Sequence, residues 1–264
     1  MADSIEINIT LPKAWSELSQ EQLRFMLNVM VEEQQLALVG EYRSQEDFTA
    51  QTTTRVASRC FFEWSGITPV CPYGCGWLVV HDGREFEISI DLIAAAAVTL
   101  SWVGDAPDQP VRLDMVDGAA AANADLSSVF SFDSWLGCEN LWQAYQISND
   151  DSYLRQMAAI LYSKNDITLT PAETLGIFYW WLAVKTRFSV LFPYFFKPAA
   201  GPGDHQLTAD EMRKSVDAQI RALTKGDITK EAEILSLDAF RALTELDALA
   251  REYDELNRKY GNKK

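Results

Sequence analysis

Histidine is nearly missing from this chain. Two occur, His81 and His205, although imidazole is the commonest general base near neutral pH and a frequent metal ligand. His81 flanks a tight turn and His205 sits in a Gly/Pro-rich stretch, so neither has the setting of a held catalytic base. Triad and dyad chemistry therefore lack a carrier. Cysteine is sparse too, at four residues in 264, and a chain of this length can bury enough apolar surface without a disulfide framework. There is no GxxxxGK[ST] loop, no GxGxxG turn after a strand and no HExxH helix, so nucleotide-dependent and zinc-protease classes lack their signatures. An excess of basic charge is also absent. The net charge is −15, and residues 1–206 hold 26 acidic against 12 basic side chains while the remainder is nearly balanced. Nucleic acid and anionic membrane surfaces both call for clustered Lys and Arg. An acidic body suits a protein that must stay soluble or meet a basic partner.

The chain also lacks a long apolar run. Leu175 to Phe196 is apolar and aromatic almost all the way round, but Lys185 and Arg187 stand at its centre. A membrane span needs ~20 apolar residues free of such charges. The segment is thus expected to be a buried helix at the centre of a domain. The opening MADSIEINIT has no basic region followed by an apolar core, which reads as no secretory signal. The expected location is the cytoplasm.

What is abundant is hydrophobic and aromatic content, 48% and 11% respectively, with eight Trp; this is a globular composition. The fold class expected is mainly α with a small antiparallel β element (α+β): a helical body around a central aromatic helix, with a C-terminal helical arm. Ile5, Ile7 and Ile9 alternate with polar residues as a short strand would. Ser19 with Gln22 forms a capping box ahead of a helix to about Ala37, with Leu23, Leu27, Met30 and Val31 as its stripe. A second helix over 45–64 should stop at Gly66. Asp82-Gly83 between alternating runs predicts a β-hairpin near 77–90, with Phe86, Ile88 and Ile90 on its buried face. An Ala-rich, closely packed helix over 91–103 follows, then an irregular connection over 104–125 with one strand at 111–115. Helices are expected over 132–147 and 152–162. Thr170-Pro171-Ala172-Glu173 should launch the central helix, and Pro193 should end it.

The domain reading is an acidic, mostly helical body over 1–196, a Gly/Pro linker over 197–206, and a C-terminal helical region over 207–264. In the last, helices are expected over 208–224, 229–235 and 237–260. Ala239, Ala242, Leu246, Leu249, Tyr253, Leu256 and Tyr260 follow a 3-4-3-4 spacing, a short heptad seam. This seam either lies back on its own domain or, through Leu246, Leu249, Tyr253, Leu256 and Tyr260, binds a partner.

Candidate sites are few. Cys71, Cys75 and His81 are the metal candidate, although zinc sites usually show two tight pairs at matched spacing and here there is one loose pair. Cys60 and Cys138 are expected to be ordinary thiols. Glu85 with Glu87, and Asp150 with Asp151, are the neighbouring carboxylates, in settings that solvation and helix N-termini already explain. The cluster Phe178, Tyr179, Trp180 and Trp181 is expected to be core rather than a ligand wall. No cofactor is implied.

Three segments, LPKAWSELSQEQLRFML, AETLGIFYWWLAVKTRFSVLFPYFF and AQIRALTKGDITKEAEILSLDAFRALTELDALAREYDEL, carry a diffuse similarity that extends over about half the chain. Together they resemble bacteriophage and prophage proteins encoded among tail and virion genes. The resemblance carries no catalytic motif. It implies a non-enzymatic morphogenesis role, as a tail-assembly chaperone or virion component, and a location in the cytoplasm of a bacterial host or in the virion. The implied partners are proteins, either other phage tail or virion proteins or a second copy of the chain, and not nucleic acid or membrane. The competing expectation is a small-ligand binder or enzyme using the aromatic cluster and the acidic face.

Overall fold

The computed structural model describes residues 7–37, 44–197 and 209–260. It is mainly helical with a small antiparallel sheet, as the composition and periodicity predict. The chain folds as two units, Met1–Pro107 with Pro171–Leu175, and Asp108–Thr170 with Gly176–Lys264. The linker expected over 197–206 lies, apart from Lys197, outside the described residues, and so does His205.

The first unit opens on residues that form no strand over Ile7 to Lys13. Ile7 and Ile9 are half-buried and Asn8 and Thr10 exposed, so the alternation is real, but Ile5 lies outside the described residues and no ladder partner pairs with Ile7 to Ile9. Helix α1 (Gln20–Ala37) starts on a closed capping box: the Gln22 amide donates to Ser19 Oγ at 3.1 Å and the Ser19 amide to Gln22 Oε1 at 2.9 Å. Helix α2 (Gln45–Ser65) is capped by Ser44 and ends at Gly66, whose φ of 70° is the left-handed C-cap. Leu23, Met26, Leu27 and Met30 of α1 and Val56, Ala57, Cys60 and Phe61 of α2 are buried. Glu33, buried on α1, is held by Arg55 and Arg59, both at 3.1 Å, which is how a carboxylate survives in a core.

The sheet has three strands, not two. Strand β1 (Thr68–Tyr73) pairs antiparallel with β2 (Gly76–His81), which pairs with β3 (Arg84–Ser89). The β2–β3 turn is the expected one, with positive φ at Asp82 and Gly83. The added strand is built from the Cys71–Cys75 stretch, which turns as a second hairpin. Gly76 is obligatory there, because a Cβ would collide with the Ile88 carbonyl. Phe86 and Ile88 face inward, but Ile90 is exposed because it begins helix α3 (Ile90–Thr99). Contrary to the expectation of close packing, only Ile93 and Ala97 of α3 are buried, and Leu92 and Val98 face outward.

In the second unit a short ladder, β4 (Met115–Val116) with β5 (Ala119–Ala120), turns at Asp117 and Gly118, both at positive φ. Helices α4 (Phe132–Ser148) and α5 (Ser152–Leu161) pack on each other. Helix α6 (Pro171–Leu191) begins at the expected proline, and a turn containing Pro193 follows it. Helices α7 (Ala209–Thr224), α8 (Glu231–Ser236) and α9 (Ala239–Tyr260) complete the unit, with α8 and α9 packed on α4. Trp135 of α4 lies 5.0 Å, ring to ring, from both Trp181 and Phe188 of α6, and Phe240 of α9 lies 5.1 Å from Phe192. An isolated bridge, Ser131 to Asp238, ties the starts of α4 and α9: the Phe132 amide donates to the Leu237 carbonyl and the Ala239 amide to the Phe130 carbonyl, each at 2.7 Å. Among the described residues no helix is long and apolar enough to cross a membrane.

Candidate functional site

Helical periodicity builds the second unit's cleft. On α4, Trp135, Leu136, Glu139, Asn140 and Gln143 recur at the i, i+3/i+4 spacing that lines one face. Leu246, Leu249, Ala250 and Tyr253 do the same on α9, and Ser215, Val216, Gln219 and Ala222 on α7. With Lys185 of α6 and the following Phe195 and Phe196, they border an open cleft of about 530 Å³. The turn carrying these two phenylalanines is fixed by Asp247 of α9, whose carboxylate accepts the Tyr194 and Phe195 amides at 2.8 and 3.0 Å.

One ion pair organises the cleft. Lys185 Nζ donates to Glu139 Oε1 at 2.6 Å, and the two side chains are 21% and 22% exposed. The ammonium also stands 4.8 Å from the Phe196 ring centroid and 5.9 Å from that of Trp135, within cation–π range. Gln143 Nε2 donates to the same Glu139 oxygen at 3.0 Å. The other oxygen, Oε2, is buried and no described group donates to it. Gln219 repeats the pattern: its Nε2 donates to Ser215 Oγ at 3.3 Å, while its buried Oε1 has no described donor. A buried acceptor without a donor costs roughly 1–3 kcal/mol, and both oxygens lie behind the lining of the cleft rather than open to it. Arg187, the second cation of α6, stands 4.0 Å from Asp125.

The residues singled out from the sequence are placed elsewhere. Cys71 lies in β1, opposite Leu78, and Cys75 in the turn after it; both are exposed and free. His81 is at the far end of β2, with Nδ1 3.3 Å from the Gly66 carbonyl. Among the described residues no three or more His, Cys, Asp or Glu side chains converge as a metal site. Cys60 and Cys138 are buried, and burial pushes both thiols up, Cys60 to about 12. Glu85 and Glu87 are exposed on β3. Asp150 accepts the Ser152 amide at 2.8 Å at the start of α5, a bond that holds its carboxyl below the ordinary range.

Trp180 and Trp181 are core residues, and Trp180 Nε1 donates to the Ala124 carbonyl at 2.6 Å. Phe178 rests against Trp142 and Tyr145, and burial raises the Tyr179 phenol. None of the residues from Phe178 to Trp181 lines the cleft. The heptad seam divides. Ala239, Ala242 and Leu246 are buried in the second unit and Leu249 is half-buried, while Tyr253, Leu256 and Tyr260 are 66%, 55% and 57% exposed.

Glu139 and Gln219 carried no sequence signal, since each is one polar residue on an amphipathic helix. Lys185 did carry one, as a cation inside an apolar run. Compared with protein-family models, curated proteins and solved structures, the chain has no match.

Proposed function

We propose that this chain is a non-enzymatic assembly protein of the phage type, a tail-assembly factor or virion component, that works by holding other proteins against the outer half of α9. The observation that carries the reading is the division of the seam. Its first part is buried within the second unit, and the same stripe then continues through Tyr253, Leu256 and Tyr260 with large apolar area exposed. Three side chains of this size can supply several kcal/mol on burial, at about 1.5–3 kcal/mol for a fully buried large side chain. An amphipathic helix face of this kind is a standard means of helix-to-helix recognition. The resemblance to tail-module proteins and the net charge of −15 agree with a role in binding rather than in chemistry.

Co-expression with the products of the neighbouring genes, followed by affinity capture and native mass spectrometry, tests this. A tail or virion protein should be recovered with the wild-type chain and lost with Tyr253→Ser/Leu256→Ser, whose fold should be intact because both positions face outward. A monomer by light scattering that captures no tail or virion protein would overturn the reading.

A further inference from the structure

The first unit carries a recognition surface of its own, separate from α9. We propose that the cleft between the start of α1 and the end of α2 is a binding site for the guanidinium group of an arginine side chain presented by another protein. Ser19, Glu21, Gln22 and Phe25 on one side and Glu63 and Trp64 on the other border an open cleft of about 320 Å³. Charge selects a cation. Glu21 and Glu63 are both exposed, and among the described residues neither forms an ion pair. Arg59, the i,i+4 neighbour that would ordinarily answer Glu63 along the helix, is turned instead to Glu32 at 2.6 Å and Glu33 at 3.1 Å. Glu21 is favoured by its place in the first turn of α1, but Glu63 stands near the negative end of α2, whose last turn has no basic residue. The fold thus keeps an acid where its own helix repels it, and a bound cation offsets that repulsion.

The remaining walls narrow the cation to a flat one. Phe25 and Trp64 are half-buried, so part of each side chain stays accessible. Trp64 is braced by Trp102, ring to ring at 6.2 Å with the planes 15° apart. Its Nε1 is buried without an acceptor, so the donor edge is turned inward and the accessible remainder of the ring is carbon. A guanidinium group is planar, packs on aromatic rings, is less strongly hydrated than an ammonium, and presents an N–H fork to carboxylates. Ser19 and Gln22 are already committed to each other in the capping box, which leaves the two carboxylates as the polar groups open to a ligand. The cleft is open, so it admits the end of one side chain rather than enclosing a whole molecule, and the net charge of −15 draws a basic partner toward it.

NMR titration of the isotope-labelled full chain tests the site with three blocked Gly-Gly-X-Gly-Gly peptides, in which X is arginine, its neutral isostere citrulline, or lysine, and with ethylguanidinium. The arginine peptide is expected to shift the Trp64 indole and Gln22 side-chain amide signals saturably, and to bind at least about tenfold more tightly than the citrulline peptide, which lacks both the ionic and the cation–π contact. The lysine peptide should bind more weakly than the arginine peptide. Glu63→Gln, which keeps the size of an exposed side chain, should weaken arginine binding about threefold without lowering the melting temperature, and Glu21→Gln/Glu63→Gln should reduce it to the level of citrulline. Tyr253→Ser/Leu256→Ser should bind the arginine peptide as the wild type does, which separates this site from the seam on α9. Absence of a saturable shift, citrulline binding as tightly as arginine, or no effect of the double glutamine variant would overturn the proposal. Lysine matching arginine would overturn the guanidinium assignment. Ethylguanidinium binding while the arginine peptide does not would mean a free small cation, and would overturn the protein-borne source.

Discussion

Trp181 is fully buried and its ring lies 5.0 Å from that of Trp135, tilted by 34°, in the packing that joins α6 to α4. Its truncation removes one of the largest side chains in that core and leaves a cavity that surrounding helices close only in part. Trp181→Ala is therefore expected to cost about 3–5 kcal/mol, read by urea denaturation. An unchanged midpoint would contradict its placement. The cysteines separate by the same criterion. Cys71 and Cys75 should react with a thiol reagent in the native protein, and Cys60 and Cys138 only after unfolding. Burial raises the Cys60 thiol from 9.0 to about 12, so the folded state holds that proton more tightly than the unfolded chain. The associated stability is complete below pH 9 and is lost as pH rises toward 12. Within that window stability should fall by about 1.4 kcal/mol per pH unit for this thiol, and Cys60→Ala should flatten the pH dependence by that amount.

At the scale of the element, α9 is two surfaces in one helix. Leu246 is buried and Leu256 is 55% exposed, although both occupy the same apolar stripe. Leu246→Ala should cost about 2–5 kcal/mol and Leu256→Ala less than about 0.5 kcal/mol, a contrast that thermal melts of the two variants would display. Helix positions were legible because their ends carry local signals: the Ser19–Gln22 box, Gly66 after α2, and Pro171 at the start of α6. The Asp82-Gly83 hairpin was legible for the same reason. Strand β1 was not, because Pro69 and Pro72 break the strand pattern and a register shift between Pro69 and Cys71 interrupts the ladder; proline fits here because β1 is an edge strand. The Asp117-Gly118 turn has the same chemistry as Asp82-Gly83, but its flanking strands are two residues each, too short to show alternation. The cleft was legible only as an unexplained Lys185. Its partner Glu139 and the acceptor Gln219 come from other helices, and tertiary packing alone brings them to one space.

For the whole molecule the dominant quantity is charge. A net of −15 and an isoelectric point near 4.5 keep copies apart at neutral pH, because like-charged surfaces repel. Solubility should pass through a minimum close to pH 4.5 and recover on either side, measurable as turbidity across a pH series; a flat profile would mean that charge does not govern association. The bridge between Ser131 and Asp238 has a consequence for how the protein is made. The second unit cannot close until the ribosome has delivered Asp238 and the start of α9, and the stretch from Leu191 to Ala239 takes roughly 2–10 s to synthesise at ~5–20 residues per second. During that interval Phe188 and Phe192 lack the Phe240 ring they later meet. The nascent chain thus carries the Phe188–Phe192 edge of its central helix uncovered for seconds, a span in which a holdase or rapid release decides between folding and aggregation.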